Sequence, residues 1–167
     1  MSYIRRITVM LAGLAAAALA FCQAVPAGAS PAAVPAVSGT EHFQSVNASA
    51  TASTRPVIAF GVFTAPAVDH IGNGTDRLVF PAGTVKVEHS MGTGPVTVNP
   101  KTCLFTANQH GTVKILGGTG KYAGIRGGGT FRSSVLAILA RSGGKCSMTK
   151  PPAAFQHIIQ VSLHVTL

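Results

Sequence analysis

The closing segment of the chain alternates so regularly that one backbone geometry accommodates it. Ile159, Val161, Leu163, Val165 and Leu167 take one side of an extended chain, and Gln160, Ser162, His164 and Thr166 take the other. Successive Cβ atoms of a strand point to opposite faces, whereas a helix would scatter these residues around its circumference. One face is therefore buried and the other wet, as in the wall of a barrel or sandwich.

The remainder of the folded region reads the same way. Helical periodicity is absent, and glycine and proline punctuate short β-branched and aromatic runs. Strands are expected at Arg55–Phe63, Asp76–Phe80, Thr84–His89, Leu104–Gln109, Thr112–Leu116, Thr130–Ala140 and His157–Leu167, with a first one at Glu41–Ala50. Runs at this spacing, joined by tight turns, predict an all-β meander, either a barrel or a sandwich.

The start of the chain follows a different logic. Arg5 and Arg6 form a positive segment, Val9 to Phe21 an apolar one, and Ala27-Gly28-Ala29 a small-residue site. That order is a secretory signal peptide over residues 1–29, with cleavage before Ser30. A membrane anchor needs about 20 apolar residues, and Gln23 and Pro26 interrupt this run, so no stable membrane insertion is expected. Arg5-Arg6 lacks the large apolar residue of a twin-arginine signal, because Thr8 stands there. Bulky Phe21 before Cys22 also fits lipid attachment poorly. Residues 30–39 are Ala, Pro, Val, Ser and Gly without periodicity, a flexible leader. One domain, 40–167, remains.

Export makes the cysteines and charges readable. Cys22 leaves with the signal, so Cys103 and Cys146 are the pair expected to form a disulfide in an extracellular protein. The net charge is +9, and removal of Arg5 and Arg6 leaves eleven cations against four carboxylates. These cations are scattered singly, without aromatic interleaving, which argues against a nucleic-acid surface. A solvated basic exterior with weak attraction to anionic envelope polymers is expected instead. Nothing in the sequence specifies an oligomeric state.

Gly117-Gly118-Thr119-Gly120-Lys121-Tyr122-Ala123-Gly124-Ile125-Arg126-Gly127 is the most characteristic stretch. It resembles the glycine-rich, basic–aromatic turn of the allene oxide cyclase and dirigent-like β-barrels, especially their secreted actinobacterial branch. Asp76 to Thr84 and Asn99 to Cys103 are similar to segments of the same group. The resemblance implies an eight-stranded antiparallel barrel over residues 40–167. It also implies isomerase or cyclase chemistry, in which a bound polyene is folded by the shape of its site. Physically, Gly117, Gly118 and Gly120 permit a tight reversal, Tyr122 can fold back as an aromatic plug, and Gly127 to Gly129 allow a bulge. A phosphate loop is excluded: Tyr122 follows Lys121 where Ser or Thr is needed, and the dinucleotide spacing also fails.

No serine-hydrolase elbow, paired metal-binding histidines or CxxC motif occurs, and no cofactor or metal is expected. One acid–base constellation survives. A hairpin turning on Pro81-Ala82-Gly83-Thr84 sets Phe80 opposite Val85, Leu78 opposite Val87, and Asp76 opposite His89. All six share the inward face, so Asp76 and His89 reach the barrel mouth as a candidate catalytic pair. The bland alternative is a polar cross-strand pair ending an apolar face. Asp69 and His70 form a weaker pair, because adjacent residues point apart. Leu78, Phe80, Val85, Val87 and Tyr122 are the expected ligand-lining residues, joined by Val113, Ile115 and the Ile159 series. Three functions follow: a barrel binding a small hydrophobic molecule, an isomerase or cyclase, and a filled barrel serving as an extracellular interaction protein.

Overall fold

In the computed structural model, which describes residues 36–167, five strands run as successive neighbours. They are β1 (Ser38–Asn47), β2 (Thr54–Gly61), β3 (Ala65–His70), β4 (Thr75–Phe80) and β5 (Gly83–Met91). The short β6 (Val96–Val98) precedes two long strands, β7 (Leu104–Gly118) and β8 (Arg126–Ile138). A small hairpin, β9 (Arg141–Ser142) and β10 (Lys145–Cys146), leads into β11 (Ala154–Thr166). The signal peptide expected at residues 1–29 and residues 30–35 of the expected leader lie outside the described residues. β1 begins at Ser38, slightly ahead of the domain start expected from composition.

β11 lies between β1 and β8, and β5 pairs with β7, so the order β5-β4-β3-β2-β1-β11-β8-β7 closes on itself. Every neighbouring pair is antiparallel. The result is a closed eight-stranded barrel, which leaves its wall strands no unpaired edge where they close. β6 pairs with β7 beyond the point where β5 leaves it.

The number of wall strands matches the sequence reading, but two members differ. Ala65–His70 forms β3, although its Ala-Pro-Ala-Val composition carries little strand signal. The runs at Leu104–Gln109 and Thr112–Leu116 are one strand passing through Gly111. A Cβ on Gly111 would lie 2.6 Å from a Phe131 ring carbon, so glycine here admits a neighbouring side chain and does not end the strand. Of the bulge or sharp coil that Gly127 to Gly129 allow, no bulge forms, since the irregularity lies elsewhere. The register of β5 against β7 shifts between Lys86 and Val87, where Leu116 has no partner, while β8 pairs without interruption.

One half of the interior is filled. Phe43, Phe63, Phe80 and Tyr122 pack with ring centroids 4.9–6.3 Å apart. Val85, Ile115, Ile125, Leu163 and Val165 complete this buried cluster. The glycine-rich motif supplies Tyr122 through a single 3-10 turn, Gly120–Tyr122. That turn docks on the β4–β5 hairpin: Thr119 N–H donates to Thr84 O at 2.9 Å, and Lys121 N–H to Ala82 O at 2.9 Å. Gly120 has φ +62°, and a Cβ there would sit 2.2 Å from Ala82 O. The motif is thus a lock between two turns, and Tyr122 is the plug behind it.

The opposite end is extended by β6, β7, β8 and β11 and tied by Cys103–Cys146, with an S–S distance of 2.06 Å. The disulfide expected from cysteine count is therefore present. Cys103 is buried, and Leu139 N–H donates to its carbonyl at 2.9 Å, which fixes the chain leaving β8 against the start of β7.

Candidate functional site

Beyond the aromatic plug the barrel is not filled. A cavity of about 360 Å³ opens at the end bearing the β3–β4 loop. Its apolar wall includes Phe43, Val57, Leu78, Val87, Val113, Phe131, Ile159 and Val161. Its polar wall includes Ser45, Arg55, Asp69, Asp76, His89, Ser133 and His157. A mostly apolar concavity with a few converging polar groups is the usual form of a small-molecule site.

Strand register creates the polar wall. Arg55 on β2 stands directly opposite Asp69 on β3, and alternation turns both inward. Arg55 Nε donates to Asp69 Oδ2 at 2.7 Å, while its Nη2 donates to Asp76 Oδ2 at 2.9 Å. Gly72 N–H donates to Asp76 Oδ1 at 2.9 Å, so the β3–β4 loop is tied to the same carboxylate. His89 Nε2 approaches that oxygen to 3.4 Å. Across the cavity Ser133 Oγ and His157 Nε2 share a hydrogen bond of 2.8 Å.

Burial tunes these groups. Desolvation raises the Asp69 carboxyl above its ordinary value, opposed mainly by the adjacent Arg55 guanidinium. Desolvation, and after it the charge of Arg55, lowers the His157 imidazole. Among the described residues, Asp69 Oδ1 and Ser45 Oγ have no hydrogen-bond partner. Nor do three or more His, Cys, Asp or Glu side chains in that region gather where they could hold a metal ion.

Asp76 and His89 are brought together, though not by the expected register. The hairpin loop is Pro81-Ala82 alone, with Phe80 opposite Gly83, Leu78 opposite Val85 and Asp76 opposite Val87. Gly83 adopts φ +150°, so the chain re-enters the ladder one residue pair earlier than a four-residue loop allows. A slip of two residues preserves the faces. His89 consequently stays inward, and its N–H donates to Gly74 O at 2.9 Å.

The expected ligand-lining set divides. Leu78 and Val87 line the cavity, as do Val113, Ile159 and Val161. Phe80, Val85 and Tyr122 do not, and neither does Ile115; Phe80 and Tyr122 pack against each other with ring centroids 4.9 Å apart, away from the cavity lining. Arg55 is the site residue that the sequence reading does not reach; Asp69, read there only as a weaker pair with His70, turns inward while His70 is exposed. The small-residue alternation Ala65, Ala67, Asp69, opposite Ala59, Val57 and Arg55, is the signal that places Arg55 and Asp69.

No protein-family model, curated protein or solved structure matches the sequence.

Proposed function

We propose that this is an exported barrel that holds a small hydrophobic molecule in the open half of its interior. The half-filled barrel carries this reading: an aromatic plug closes one end, and a mostly apolar cavity of about 360 Å³ occupies the other. Export is supported by the signal-like sequence at residues 1–29 and by the disulfide, which suits an oxidising compartment. The closed eight-stranded barrel and the glycine-rich lock support membership of the allene oxide cyclase and dirigent-like family, in its secreted branch. Native mass spectrometry of protein purified from its own producer tests the reading. A retained small molecule released on unfolding is expected, and bare protein from every preparation would oppose it.

A second reading, isomerase or cyclase chemistry, is favoured by one observation. His89 lies 3.4 Å from Asp76 in the wall of an apolar space, where an oriented imidazole can move a proton on a bound molecule. In that reading His89→Gln abolishes turnover of the retained molecule and leaves its binding intact. A wholly filled barrel acting only through its surface finds no support in an interior with this opening.

A further inference from the structure

The polar wall has an uneven inventory. Asp69 and Asp76 are two carboxylates, and Arg55 is the single guanidinium between them. Arg55 directs Nε and Nη2 at those carboxylates, so its charge is already engaged. His157 is held toward its neutral form by burial. Asp69 Oδ1 and Ser45 Oγ lack partners, and their residues line the cavity. Asp69 Oδ1 as a carboxylate oxygen can only accept, Ser45 Oγ can accept as well as donate, and the carboxylates outnumber the guanidinium by one, with His89 Nε2 3.4 Å from Asp76.

We infer that the cavity selects an apolar molecule whose polar end donates hydrogen bonds, an alcohol or an amine, and that it excludes carboxylates. This rests on the ligand-binding reading above. The apolar body lies against Leu78, Val87, Val113 and Phe131, and the donor end meets the Asp69–Asp76 wall. A hydroxyl or ammonium group donates to Asp69 Oδ1 and can also donate to Ser45 Oγ. A carboxylate brings a third negative charge beside Asp69 and Asp76 into a space walled mostly by hydrocarbon, where repulsion is weakly screened. The volume sets the size, with room for about a dozen atoms of water size.

Three probes with one chain separate the possibilities: n-decylamine, n-decanol and n-decanoate, each titrated calorimetrically into the purified protein at neutral pH. Decylamine and decanol are expected to bind at least about tenfold more tightly than decanoate. Decylamine ahead of decanol assigns pairing with the negative charge of Asp69; the reverse order assigns a neutral hydroxyl. Asp69→Asn removes that charge and is expected to narrow the gap between decylamine and decanoate. Asp76→Asn serves the same purpose if Asp69→Asn does not fold. Decanoate binding as tightly as the other two overturns the inference and leaves the ligand-binding reading standing. Failure of all three probes to bind overturns both.

Discussion

Arg55 is the one Lys or Arg among the described residues that is not exposed, and the polar wall depends on it. Its side chain is 11% exposed, and those of Asp69 and Asp76 are 5% and 6%. Arg55→Leu would leave Asp69 and Asp76 buried without the guanidinium that bridges them. The expected cost is about 3–5 kcal/mol by chemical denaturation, and a loss within the range of ordinary surface substitutions would contradict the role given to the network. Glu41 presents a different case at the packed end. It is fully buried; Phe63 N–H donates to its Oε2 at 3.0 Å, while Oε1 has no partner among the described residues. Desolvation raises its pKa, against the pull of backbone hydrogen bonds led by that from Phe63. The folded state therefore holds this proton more tightly than the unfolded chain does. Stability from Glu41 is full below the unfolded value and declines as pH climbs from there through the folded value. Glu41→Gln should match the parent melting temperature at low pH and exceed it above that window. Parallel melting curves at all pH values would contradict the assignment. At this scale the sequence exposed only part of the site. Asp76 and His89 were readable because a two-residue slip keeps their face. The pairing of Arg55 with Asp69 was hidden because β3 opens on Ala-Pro-Ala, residues whose strand role appears only once β2 pairs with them.

Among elements, the lock between the β4–β5 and β7–β8 turns and the disulfide hold opposite ends of the barrel. Glycine is required at position 120 twice over, by its φ of +62° and by the approach of Ala82 O. Gly120→Ala should cost at least about 1–2 kcal/mol, and would cost more if the two turns separate. A neutral effect would show that the lock carries no stability. Cys103 and Cys146 are separated by 43 residues. Closing a loop of that length stabilises by about 4 kcal/mol on the chain-entropy model. Reduction should therefore lower the denaturation midpoint sharply, and alkylation without reduction should leave both residues unmodified. The turn and the pairing were legible because glycine spacing and cysteine count are local signals. Hairpin register was not, because it depends on the conformation that Gly83 adopts against Thr119, and Thr119 is remote in sequence.

Across the whole molecule, carboxylates and cations are sorted between inside and outside. Glu41, Asp69 and Asp76 are buried, which among the described residues leaves Glu88 as the exposed carboxylate beside ten exposed Lys and Arg side chains. The exterior is thus more uniformly cationic than the net charge indicates. Retention on a polyglutamate matrix at low ionic strength, lost steeply as salt rises, is expected from this arrangement; passage without retention would contradict it. The barrel itself was legible from strand alternation and from the glycine-rich resemblance. The division of its interior was not, since cavity volume depends on how rings from distant strands meet. That division is the basis of the functional reading, and fluorescence of N-phenyl-1-naphthylamine tests it most directly. The unsubstituted protein should bind the dye saturably at one site with enhanced emission. Val113→Phe, which places a ring in the cavity, should fold and lose that response. No enhancement in the unsubstituted protein, or an unchanged response in folded Val113→Phe, would contradict a ligand-holding cavity.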